Sequence, residues 1–280
     1  MNKKLPAQHT AKNGFTLLEL LIVIVIIAVL MSLILPALSG VRRRANIVAV
    51  QTEMKQIEQA LTTFENRFGN LPPSSLTIPA AGDSWDVASR SAVRGMWPQF
   101  NFATNGGLGN SDAINLNGAE CLVFFLGGIQ SGTADSPVIS GFSKNASTPW
   151  TLSETPEGPF MEFDLARISD VDNDSAFEYL SEEGAAAPLL FLSSQGKRYN
   201  TTNAAGFDDY DVFTDAGKNM SSCYMDATGS KPQRSDSYQL IHAGEDGAYG
   251  AGGVFPSPDD FANRLEERDN ITNFSDGTFQ

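Results

Sequence analysis

The chain has 280 residues, with 33 acidic against 19 basic side chains and a formal net charge of −14. That balance argues against nucleic acid or an anionic membrane surface as the partner of its bulk. The length leaves room for a real hydrophobic core.

The first 14 residues hold Lys3, Lys4 and Lys12 and no acid. From Leu20 to Leu38 nothing is charged, and only Ser32 and Pro36 interrupt the apolar composition. As a helix this run reaches about 28 Å, close to the ~30 Å hydrocarbon core of a bilayer. The positive-inside rule keeps the lysine-bearing end in the cytoplasm, which places everything after Leu38 outside the inner membrane. A cleavable secretory signal has a shorter apolar region, about 7–15 residues. Glu19 also stands at the mouth of the run, and a lone carboxylate facing hydrocarbon is costly enough to need a reason. A plain signal anchor is the bland alternative. Pro36 removes one helix hydrogen bond and predicts a kink or local melting. Arg42, Arg43 and Arg44 follow at once, on the side the charge rule disfavours, where headgroups or acidic neighbours suit them.

Ile47, Val50, Met54, Ile57, Leu61, Phe64 and Phe68 recur at alternating spacings of three and four, one apolar seam of an amphipathic helix. Gly69-Asn70 and Pro72-Pro73 end it. The helical pattern from Phe15 to Phe68 would span roughly 80 Å. The seam predicts packing against a head domain rather than a coiled coil, for which it is short.

Residues 70–280 read as one head. Losing Lys3, Lys4 and Lys12 with a leader would take the net charge from −14 to −17, a soluble and self-repelling domain. Short apolar runs at Glu120–Leu126, Phe160–Phe163, Leu189–Leu192, Tyr210–Phe213 and Tyr238–His242 predict strands. They would form an antiparallel sheet packed on the exposed half of the long helix, an α+β head. Segments 74–118 and 127–158 predict long loops, in which Trp85, Trp97 and Trp150 anchor the chain to the core. Cys121 and Cys223 leave two options: a bridge closing a long loop, or buried thiols. His242 ends a predicted strand with no nucleophile pattern around it. Ser193-Ser194-Gln195-Gly196-Lys197 is neither a nucleophile elbow nor a phosphate loop, so an enzyme is not expected. Asp170, Asp172 and Asp174 mimic the first positions of an EF-hand loop, but Ser175 and Ser181 stand where Gly and Glu are needed, which favours a solvated turn. Asn-x-Ser/Thr matches such as those at Asn145, Asn200, Asn219, Asn270 and Asn273 mark loops.

The string Gly14-Phe15-Thr16-Leu17-Leu18-Glu19-Leu20-Leu21-Ile22-Val23 resembles the class III signal of type IV pilins and type II secretion pseudopilins. The resemblance implies a pilin-like fold and four segments: a leader over 1–14, a transmembrane helix over 15–38, its amphipathic continuation over 39–69 and a periplasmic or extracellular head over 70–280. It implies cleavage between Gly14 and Phe15 by a prepilin peptidase and methylation of the new Phe15 amine. Phe15 and Glu19 would then guide assembly, the amine of one subunit pairing with the carboxylate of its neighbour. The implied partners are other pilin-like subunits, an assembly platform protein and an ATPase, in the inner membrane. The segment around Gly244-Glu245-Asp246-Gly247 and Asp269-Asn270-Ile271 is similar to the C-terminus of major pseudopilins, which implies calcium held by Asp246 and Asp269. Phe274 stands where that family has Trp, and about twenty residues separate the halves. A secretion pseudopilin is the leading expectation. A type IV pilus subunit is the alternative, and a membrane-anchored glycan-binding or enzymatic head the more distant one.

Overall fold

A computed structural model of the chain describes residues 16–133, 136–171, 174–180, 187–194, 199, 220, 223–255 and 264–279, apart from the side chains of Leu33, Leu35, Pro36, Ala37 and Ser39. The expected strand at Tyr210–Phe213 lies outside them, as do Gly14 and Phe15. The chain divides into two compact units, Met1–Asn46 and Ile47–Gln280.

Helix α1 (Leu17–Phe68) runs unbroken through Pro36, so the expected local melting does not occur. A proline costs a helix one N–H bond, and the bonds on either side carry it through. In the first unit the large apolar side chains from Leu17 to Met31 are exposed. Among the described residues, no helix is long and apolar enough to cross a membrane.

In the second unit the seam lands where the spacing predicts. Val50, Met54, Ile57, Leu61, Phe64 and Phe68 are buried in the main core, with Ile47 packed against its edge. Burying a side chain of this size contributes about 1.5–3 kcal/mol. This half of α1 therefore belongs with the head. Polar fasteners flank the seam. Glu53 binds Arg167 and the Tyr179 hydroxyl, Glu58 accepts from Asn273, and Arg67 pairs with Glu157.

The head is α+β, with small sheets. Strand β1 (Leu76–Ile78) precedes α2 (Val87–Met96) and pairs antiparallel with β2 (Ile114–Leu116). Helix α3 (Gly118–Gly127) follows, then the hairpin β3 (Ile129–Thr133) and β4 (Ser136–Ser140). The pair β5 (Ile168–Ser169) and β6 (Glu178–Tyr179) is also antiparallel. Strands β7 (Leu190–Ser193), β8 (Tyr224–Met225), β9 (Tyr238–His242), β10 (Gly253–Val254) and β11 (Ile271–Thr272) complete the order. They form an antiparallel sheet β11-β9-β7 and a parallel pair β10-β8.

Two of the expected strands fall differently. Glu120–Leu126 is the body of α3, and every residue of that helix is buried. A helix covered on all sides shows no polar face, so its apolar run carries no period to betray it. Asn117 and Glu120 close a reciprocal capping box at its start. Gly118 is needed there because a Cβ would overlap the Phe191 carbonyl. Phe160–Phe163 is no strand: the Phe160 and Met161 amides both donate to Leu126 O, capping the far end of α3. The two expected loops hold β1, α2, β2 and the β3–β4 hairpin, of which the strands are too short or too polar to show a period. Within them Trp85, Trp97 and Trp150 are buried as core anchors, Trp150 4.6 Å from Phe100 and Trp97 4.9 Å from Phe68, centroid to centroid.

Cys121 and Cys223 are buried thiols in two different clusters, so the bridge is not formed. Each fills apolar space, and burial pushes the Cys223 thiol up to about 11.

Candidate functional site

The start of α1 is built by Thr16 and Glu19. Thr16 is the residue before the first helical one, and Glu19 stands three positions on. The Glu19 amide donates to Thr16 Oγ1 at 3.2 Å, and the Thr16 amide donates to Glu19 Oε2 at 2.8 Å. These two bonds make a capping box, which satisfies helix-end donors that no intrahelical carbonyl can reach. The Thr16 hydroxyl adds a third bond, also to Oε2 at 2.8 Å. Among the described residues no donor falls on Oε1. Glu19 is thus fixed at the positive end of the helix dipole, one oxygen committed to its own chain. Sequence reasoning missed Thr16, although the Thr-x-x-Glu spacing is the signature of this cap.

The second site lies in the C-terminal part of the head, where the structure brings Gly244–Asp246 and Asp269 together. Asp269 Oδ2 accepts the amides of Glu245 at 2.6 Å and Asp246 at 3.2 Å. Gly244 has φ +68°, and a Cβ there would overlap the Asp269 carboxylate. Its amide donates to Nδ1 of His242 at 2.9 Å, which fixes that nitrogen as the acceptor. The Asp246 carboxylate turns back to accept from the Ala248 amide at 2.8 Å. Among the described residues, Asp269 Oδ1 is buried with no hydrogen-bond partner. A buried carboxylate oxygen left in this way is the kind of group a cation satisfies. The amides on Oδ2 fill the opposite side with positive dipole ends, so any cation has to approach from Oδ1. Among the described residues, no three His, Cys, Asp or Glu side chains are grouped to hold a metal, so backbone carbonyls or water would complete the shell.

Behind this turn lies a buried network that sequence patterns do not announce. Glu267 pairs with Arg264 and accepts from the Tyr224 hydroxyl at 3.1 Å and the Gly252 amide at 3.1 Å. Asn270 donates to Tyr224 Oη at 3.0 Å and to the Tyr249 carbonyl at 2.9 Å. These bonds flank Asp269 on both sides in sequence and hold its backbone in place.

The remaining candidates resolve as turns or core. Asp170 accepts the amides of Asp174 and Ser175, and Asp174 accepts that of Ala176, so these carboxylates close a loop on themselves. Asp172 and Ser181 lie outside the described residues. His242 is buried, and desolvation drives its imidazole down to about 4 against the pull of Asp269.

A family model described as the prokaryotic N-terminal methylation motif matches residues 10–35. No curated protein and no solved structure matches the chain. The matched residues include Gly14, Phe15, Thr16 and Glu19, so the motif and the capping box are one site. The motif implies processing by a prepilin peptidase and assembly into pilin-type filaments. The N-terminal segment of this chain is a class III prepilin signal, consistent with the type IV pilin and pseudopilin family.

Proposed function

We propose that this chain is a pseudopilin of a type II secretion system, a filament subunit rather than an enzyme. The peptidase cuts between Gly14 and Phe15, and Phe15 becomes a methylated N-terminal residue. The run Leu20–Leu38 crosses the inner membrane, with the leader cytoplasmic and the head periplasmic. The observation that carries the reading is Glu19. It lies inside a methylation motif, at the head of a helix whose apolar side chains from Leu17 to Met31 stand exposed, and among the described residues no donor falls on one of its oxygens. An exposed apolar surface of that length asks for lipid or a neighbouring helix. The Phe15 amine of a neighbour then supplies the charge that Glu19 lacks, so neither ion faces hydrocarbon alone.

The choice of a secretion pseudopilin over a pilus subunit is supported by the C-terminal turn. There Asp269 offers a buried oxygen beside Asp246, and calcium would be held by these two side chains. The test is Glu19→Ala in the native host, followed by intact mass, filament yield and export of folded cargo. The variant should be cut at Gly14 and methylated at Phe15, yet fail to build filaments and stop export. Normal filaments would overturn the role of Glu19. Loss of surface pili with export intact would overturn the choice of system.

A further inference from the structure

Helix α2 carries Arg90 and Arg94 one turn apart on its exposed side. Both guanidinium groups stand over the ring of Phe102, their carbons 4.7 and 5.2 Å from its centroid. That ring is not free to follow them. Phe102 packs against Phe100 at 4.9 Å and edge-on against Trp85 at 5.3 Å, and both partners are buried. The core therefore sets the plane on which the two arginines rest.

The placement is unusual for this chain in two ways. Like charges four apart on a helix repel, so α2 is weakened by carrying them. Carboxylates are also in excess, 33 against 19 basic groups. Arg67, Arg167, Arg234 and Arg264 each take one within ion-pair distance. Among the described residues, no carboxylate lies within that distance of Arg90 or Arg94. Asp86, the acid nearest them on the helix, accepts from the Ser89 amide as its cap. Among the described residues, two guanidinium forks are thus pre-ordered and face solvent with no carboxylate taking up their charge.

We infer that the Arg90–Phe102–Arg94 surface is an interface that receives exposed carboxylates of a second copy of this chain. Charge complementarity selects that occupant. A second copy shares the net charge of −14 and is repelled at long range, but it brings dispersed carboxylates that two forks can grip one at a time, whereas a long polyanion meets that repulsion along its whole length. The inference rests on the filament reading, which places copies side by side at high local concentration.

The experiment places p-benzoylphenylalanine at position 94 of the full-length chain in native membranes, with illumination and mass analysis of the adducts. In parallel, Arg90→Glu/Arg94→Glu and Arg90→Lys/Arg94→Lys are scored for filament yield, N-terminal processing and melting temperature. The expected adduct is two copies of this chain joined through position 94. The double Glu variant should lose about tenfold or more of its filament yield, as like charges now meet across the contact. Its processing and melting temperature should not change, and the double Lys variant should retain most of its filaments. An adduct with another envelope protein or with nucleic acid overturns the inference. So does normal filament yield from the double Glu variant. If the unsubstituted chain builds no filaments, the filament reading falls first and this interface with it. If it builds them and no homodimer adduct forms, the interface alone is wrong.

Discussion

Replacing Glu53 with Ala should loosen the head from the second half of α1, and the cost can be worked from the geometry. Glu53 Oε2 lies 2.7 Å from Arg167 Nη2, and Oε1 accepts from the Tyr179 hydroxyl at 2.5 Å. The side chains of Glu53 and Arg167 keep only 15% and 19% of their exposure. Arg167 is held in place independently, by its Nε bond to Leu180 O at 2.7 Å and by the Tyr179 ring 4.5 Å from its guanidinium carbon. It cannot swing out to water when its partner goes. Removing one member of a fully buried pair costs about 3–5 kcal/mol, because the other charge stays behind unpaired. The residual exposure admits some water, so a cost of about 2–3 kcal/mol is expected. For a domain of this size that lowers Tm by about 5–10 °C. Glu53→Gln keeps an acceptor for Tyr179 and should lose about half as much, roughly 1–1.5 kcal/mol. The assay is thermal melting of the full chain in detergent, followed by the fluorescence of Trp85, Trp97 and Trp150, all buried in the head core. Adding Arg167→Ala to Glu53→Ala should recover part of the loss, since the stranded charge is then gone. A Glu53→Ala protein that melts within about 1 °C of the unsubstituted chain would refute the argument.

Two further outcomes follow from the C-terminal turn. Burial holds the His242 imidazole neutral, down to about 4 from its ordinary value near 6.5, so the unfolded chain binds a proton that the folded one refuses. That contribution is complete above about pH 6.5 and fades as the pH falls toward 4, a loss approaching 3 kcal/mol. His242→Gln should flatten this acid limb in pH-dependent melting, and an unchanged limb would assign it to other groups. Calcium at 100 times its dissociation constant should stabilise the unsubstituted head by about 2.7 kcal/mol and leave Asp246→Ala and Asp269→Asn unmoved. Equal melting of the unsubstituted chain in calcium and in chelator would mean the turn stands on its amide bonds alone.

What the chain revealed before folding, and what it withheld, divides along physical lines. The seam from Ile47 to Phe68 was legible because one face of that helix is buried and the other wet, and only such a helix writes a period into its residues. Helix α3 is covered on every side and writes none, so its apolar run read as a strand. Its one local clue was the cap pair Asn117 and Glu120. Strands β7 and β9 were read at nearly their observed bounds, since each is a compact apolar run bounded by polar loops. At the N-terminus Gly14, Phe15 and Glu19 could be singled out because a peptidase reads a linear string, which the sequence displays directly. The approach of Asp269 to the Gly244–Asp246 turn joins residues more than twenty apart through backbone amides, which composition does not record. Resemblance suggested the pair, and the network around Glu267 and Asn270 was visible to neither route.

The small sheets have a consequence for a protein that gathers with its own kind. Among the described residues no strand exceeds five, and several have only two. The longest pair, β3 with β4, carries Pro137, which has no amide proton to offer a further strand. A long bare strand edge is a template that any stray chain can extend, correct or not. Here such an edge is kept short, so subunits crowded together have little opportunity to stick through their backbones. Contact between copies is left to helices and side chains, which accept one geometry and can let go of it again.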